Sequence, residues 1–153
     1  MTEFRVQMRS IAGLLIENEC DSIYKENLLN SSRLDYSVDS LEFINEYLDK
    51  IRLDSIDSEL LNKIYLRCGS YVGEVILENT QNKESDWIYY ENACKINPSL
   101  EQYGKSLATY ALLYYNKSFY FPINKVIKYI NNGREDNLRS FAVVIIDQLN
   151  EKK

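Results

Sequence analysis

Glu74 and Glu78 lie four residues apart, the spacing that sets two carboxylates on one face of a helix. Such a pair can serve general acid–base hydrolysis of a glycoside or hold a metal ion, so these are the first candidates for chemistry in the chain. The remaining equipment is thin. The 153 residues include no histidine, which excludes Ser-His-Asp and Cys-His triads, H-E-x-x-H zinc sites and the usual neutral-pH base. Cys20, Cys68 and Cys94 are widely spaced with no C-x-x-C, and fit small buried thiols better than a metal knot or redox pair. Gly69-x-x-x-Gly73 lacks both the dinucleotide spacing and the Lys-Ser/Thr ending of a phosphate loop. Asp35-x-x-x-Asp39 has the spacing of a helix start, not of a calcium ladder. Glu74 and Glu78 are therefore expected on a solvated helix edge, or with Glu74 accepting a bond from a neighbouring loop. Catalysis there would require a deep pocket and a displaced carboxylate pKa. The expectation is no catalytic residue, no metal and no cofactor.

The elements that must carry these residues follow from hydrophobic spacing. Phe4, Met8, Ile11, Ala12, Leu15 and Ile16 predict an amphipathic helix over residues 3–18. Ile23, Tyr24, Leu28 and Leu29 predict further helical turns after a bend near Cys20-Asp21, and Asn30-Ser31-Ser32 a loop. Ser37 is a good N-cap for a helix over 38–52, with Leu41, Ile44, Leu48 and Ile51 inward. Asp57 or Ser58 caps the next helix, whose broad apolar face from Leu60 to Ile76 marks it as central. Gly69 and Gly73 share one side of it and predict close approach of another backbone, with a ligand passing over the same notch as the alternative. Trp87-Ile88-Tyr89-Tyr90 reads as a strand and Asn97-Pro98-Ser99 as a turn. Residues 107–121 fit either a helix or a hairpin, and the hairpin is preferred because Asn116-Lys117-Ser118 separates two aromatic runs. Pro122 opens a helix that Gly133 ends, and Asp136 is expected to cap the last one. The predicted fold is α+β: one mainly helical domain over 1–153, with a helical part at 1–80, short antiparallel strands at 86–121 and two closing helices at 122–151.

Charge is distributed unevenly. Residues 1–91 hold 18 acids and 9 bases, and residues 92–153 hold 5 acids and 9 bases. Between 35 and 59, eight acids face only Lys50 and Arg52. That field repels phosphate backbones and attracts a basic protein surface, although acids of this kind also serve simply as the wet sides of helices. Asp39, Glu42, Glu46 and Asp49 are the candidate steering residues. Of 13 tyrosines, eight lie within residues 89–129, and tyrosine combines rigid contact area with a hydroxyl. Tyr114 and Tyr115 point to opposite faces of a hairpin strand, so one of them is expected outside, as a candidate anchor. No run of apolar residues approaches membrane-spanning length and the N-terminus carries no secretory pattern, so the chain reads as cytoplasmic, without membrane or direct nucleic-acid partners.

Leu34-Asp35-Tyr36-Ser37-Val38-Asp39-Ser40-Leu41, Gly69-Ser70-Tyr71-Val72-Gly73-Glu74-Val75-Ile76, Trp87, Phe121-Pro122-Ile123-Asn124-Lys125-Val126 and Asn132-Gly133-Arg134-Glu135-Asp136-Asn137-Leu138-Arg139-Ser140-Phe141 occur in that order. This succession resembles small bacterial immunity proteins of polymorphic and contact-dependent growth inhibition toxin systems over about residues 34–142. The matching motifs carry no catalytic residues. The resemblance implies a non-enzymatic inhibitor that binds one cognate toxin domain, a basic nuclease, and covers its active site or substrate cleft. A cytoplasmic adaptor with another protein partner, and a small carboxylate or tyrosine enzyme, remain the competing expectations.

Overall fold

The computed structural model describes residues 1–17 and 21–152, so the expected bend at Cys20 lies outside the described residues. Among the described residues, six α-helices and a three-stranded antiparallel sheet follow one another as α1 (Glu3–Gly13), α2 (Leu41–Ile51), α3 (Ser58–Asn79), β1 (Asp86–Tyr89), α4 (Tyr90–Ile96), β2 (Ala111–Tyr115), β3 (Ser118–Tyr120), α5 (Pro122–Asn132) and α6 (Leu138–Glu151), with short 3-10 turns between them. The fold is α+β, as the spacing predicts. Among the described residues, no helix is long and apolar enough to cross a membrane.

α3 is the axis. Asp57 starts it by accepting a bond from the Glu59 amide at 2.7 Å, and every residue from Arg67 to Leu77 is buried, because α1, α5 and α6 all pack against it. The glycine notch is filled in two different ways. At Gly69 a Cβ would come within 2.6 Å of the Ile123 Cα, so there the backbone of α5 makes the close approach. At Gly73 a Cβ would fall inside the indole of Trp87, so a ring, not a backbone, occupies that step.

The sheet runs in the order β1-β2-β3, with Trp87 opposite Leu113 and Tyr114 opposite Phe119. Alternation decides its faces. Trp87, Ala111 and Leu113 enter the main core, whereas Leu112 joins a smaller cluster with Tyr90, Ala93 and Leu100 on the other side. The hairpin turn is Asn116-Lys117, both at positive φ (45° and 69°), the two-residue geometry that matches strand twist.

Several expectations are corrected. α1 stops at Gly13 rather than running on to 18, because residues 14–16 close with i→i−3 bonds. The segment after it forms only a 3-10 turn at Glu26–Leu28, and the loop at 30–32 gives way to another at Ser31–Arg33. Ser37 does cap, but it caps a 3-10 lead-in: its hydroxyl accepts from the Ser40 amide at 3.2 Å, and α2 itself begins at Leu41. Tyr90 leaves the strand and opens α4, a seven-residue helix with too few apolar repeats to signal itself. Asp136 does not cap α6. Asn137 does, accepting from the Ser140 amide at 3.1 Å, because Asp136 is engaged with Lys125 of α5 at 2.8 Å.

Candidate functional site

Glu74 and Glu78 form a closed structural cluster with Arg5 and Arg9. Glu74 is fully buried. Its Oε2 accepts from Trp87 Nε1 at 2.7 Å and its Oε1 from Arg9 at 3.3 Å, and Arg5 Nε lies 3.5 Å from Oε2. Glu78, half exposed, pairs with the same two arginines at 3.4 and 3.7 Å. Arg5 and Arg9 are also four apart, so two complementary i, i+4 pairs on α1 and α3 meet face to face. The Arg9 guanidinium then lies 3.5 Å from the centre of the Tyr36 ring. Tyr36 has φ 63°, an unfavourable value for a bulky residue, and α3 holds it there. Its amide donates to the Tyr71 hydroxyl at 3.0 Å and its carbonyl accepts from Asn79 at 2.8 Å. Both oxygens of Glu74 are thus occupied by protein donors, and the expected solvated edge is found only at Glu78. The motifs around Tyr36 and Gly73 are explained by how α1 and the loop before α2 dock on α3.

The predicted acidic face does form. Asp39, Glu42, Glu46 and Asp49 follow at intervals of three, four and three along α2 and the turn before it, while Leu41, Ile44, Leu48 and Ile51 are buried beneath. The sequence spacing does not reveal what faces these acids. Arg134 pairs with both Glu42 and Asp49, the latter at 2.9 Å, and Arg139 pairs with Asp39 at 2.8 Å. Tyr129 adds its hydroxyl to Asp49 at 2.6 Å, and burial together with that acceptor holds the phenol well above its ordinary pKa. Glu46 is exposed and has no ion pair among the described residues. The row is four carboxylates served by two arginines. Both arginines are half exposed, and the Asp39 carboxylate is 84% exposed even in its pair. Such surface pairs are worth about 0–1 kcal/mol each and exchange readily.

Tyr114 and Tyr115 do sit on opposite faces of β2, yet neither is outside. Tyr115 packs against the main core, and Tyr114 lies beside Phe119 with ring centroids 5.0 Å apart; both are half-buried. No hydrogen bond or ion pair among the described residues joins them to the acidic row. The exposed tyrosines are instead Tyr89, Tyr103 and Tyr110. Tyr89 stacks on Phe4 at 3.7 Å and meets Tyr110 edge-on at 6.4 Å, forming an aromatic patch where α1 crosses the sheet. Neither Arg134 nor Arg139 could be assigned to the acids from spacing, since they come 85 to 100 residues later. The Arg5/Arg9 spacing, by contrast, was a usable signal for Glu74 and Glu78.

Among the described residues no cluster of three or more Cys, Asp or Glu side chains is arranged to hold a metal ion. Cys68 is fully buried in the core, and burial pushes its thiol up to about 12. Comparison of the chain with protein-family models, with curated proteins and with solved structures finds no match in any of the three.

Proposed function

We propose that this chain is an immunity protein: a cytoplasmic binder, with no reaction of its own, that neutralises a cognate antibacterial toxin domain. The toxin on this reading is a basic nuclease, and the outer face of α2 lies over its active site or substrate cleft. The observation that carries the reading is the row Asp39, Glu42, Glu46 and Asp49, four carboxylates on one outward face whose ion-pair partners, among the described residues, are Arg134 and Arg139 alone. A cleft built to hold nucleic-acid phosphates presents lysines and arginines. It can pair with Glu46 directly and compete for the other three acids, because the internal pairs are solvent-exposed and weak. Such a field accelerates encounter more than it deepens final affinity.

The test begins with growth of a bacterial host expressing the C-terminal region of the adjacent upstream gene product, with and without this chain. Killing that the chain alone reverses is the expected result, and the pair is then taken to binding kinetics. Glu46→Lys, which disturbs no internal pair, is expected to lower the association rate about tenfold, and raising salt is expected to act mainly on the same rate. Affinity that is identical at low and high salt removes the acidic-face mechanism. Toxicity that this chain cannot reverse, or no toxicity at all, favours an adaptor with a different protein partner.

A further inference from the structure

Two hollows meet on the outer side of α5. One, of about 240 Å³, is lined by Tyr103, Phe121, Asn124 and Lys128, with Ser106 and Thr109 at its side. The other, of about 230 Å³, shares Phe121, Asn124 and Lys128 and continues past Lys125 to Phe141. Phe121, Asn124, Lys125 and Lys128 are spaced three, one and three apart, so they share one helical face, while Ile123, Val126 and Tyr129 fill the core behind them. The two hollows share Phe121, Asn124 and Lys128 and so form one shallow groove along the helix.

The lining has a definite chemistry. Tyr103 is 58% exposed and rests edge-on against Phe121 with centroids 5.4 Å apart, leaving its outer face bare. Neither the Lys128 ammonium nor the Asn124 amide has a hydrogen-bond or ion-pair partner among the described residues. Lys125 is held by Asp136 at 2.8 Å, and no carboxylate lines either hollow. The exposed Lys128 ammonium and the bare surface of Tyr103 border one groove, with no carboxylate among its lining residues.

We propose that this groove binds a small anion of the nucleoside monophosphate class, whose planar base and charged phosphate lie at opposite ends. The ring stacks on Tyr103, Lys128 takes the phosphate, and the Asn124 amide offers a donor and an acceptor to a ring edge or ribose hydroxyl. The site is separate from the acidic face of α2 and does not depend on the toxin-binding reading.

The test titrates the full isotope-labelled chain with adenosine monophosphate and follows backbone amide signals. Saturable shifts at Asn124 and Lys128 are expected. Lys128→Gln and Tyr103→Ala alter exposed side chains and are expected to leave the circular dichroism spectrum unchanged. Each should weaken binding about tenfold, the effect of one charge-assisted or stacking contact. Adenosine alone and inorganic phosphate alone are expected to bind far more weakly than the joined molecule. Any of three results overturns the proposal: no saturation by about 10 mM, where binding is worth less than about 3 kcal/mol; equal binding of inorganic phosphate, which leaves an unspecific anion site; or variants that bind like the original chain.

Discussion

Replacing Glu74 by glutamine changes one oxygen to nitrogen and almost no volume, yet it removes the buried negative charge that Arg5 and Arg9 share. Glutamine can still accept from the Trp87 indole, but its NH2 then faces Arg9, so charge and one acceptor are lost while volume is kept. Breaking a buried pair from one side leaves a charge without compensation. Here the arginines keep partial access to water, with side chains 18% and 33% exposed, which moderates the penalty. Glu74→Gln is expected to cost about 2 kcal/mol of stability, read as a lower urea midpoint with unchanged slope. Glu78→Gln, at a half-exposed position sharing the same arginines, is expected to cost less than about 1 kcal/mol. Equal costs at the two positions would mean that the arginines find replacement partners.

At the scale of elements, the test falls on the notch of α3. Alanine favours a helix over glycine by about 1 kcal/mol, so Gly73→Ala should stabilise if propensity ruled. It should destabilise instead, by about 2 kcal/mol or more, because the new methyl must displace an indole that Glu74 holds in place. Thermal unfolding of the variant distinguishes the two signs directly. The sequence made the existence and sidedness of this notch readable, since two glycines four apart in an otherwise apolar helix require a neighbour. It did not say that the neighbour at Gly73 is Trp87, because nothing local links a helix position to a ring across the fold. The same contrast holds elsewhere. α2, α3, α5, α6 and the hairpin follow from spacing and turn residues. α4 escapes because seven residues give no period, and Asp136 misled because Lys125 competes for its carboxylate. In the candidate site, the row of acids was legible from helical spacing, while its two arginine partners were not, being distant in sequence.

For the molecule as a whole, the distribution of titrating groups sets how it responds to acid. Asp21, Asp35, Asp54, Glu91 and Asp136 are all held below their ordinary pKa, first of all by hydrogen bonds from Lys63, Ser37, Lys25, Lys105 and Lys125 respectively. Each gives up its proton more readily folded than unfolded. Their stabilisation is therefore complete above the usual carboxylate range and disappears as pH falls through the lowered folded values. There is no histidine to titrate between them and the thiols, and Cys68 stays protonated up to about 12. The melting temperature is expected to be nearly level from pH 6 to 8 and to drop below about pH 4. Asp136→Asn should lower stability by about 0.5–1 kcal/mol at pH 7 and converge on the original chain in acid. A gap between the two chains that persists at low pH would mean that the Lys125–Asp136 contact works through shape and not charge.

The indole of Trp87 has one further consequence. It is the sole tryptophan of the chain, it is 5% exposed, and its ring touches α3 while its nitrogen donates to Glu74. Fluorescence excited at the red edge of protein absorption therefore comes from a single emitter seated where α1, α3 and the sheet converge. Its colour reports whether that junction is sealed from water. A partner settling on the α2 face should leave the emission where it was, whereas loosening of α1 should shift it to the red before the rest of the molecule has opened.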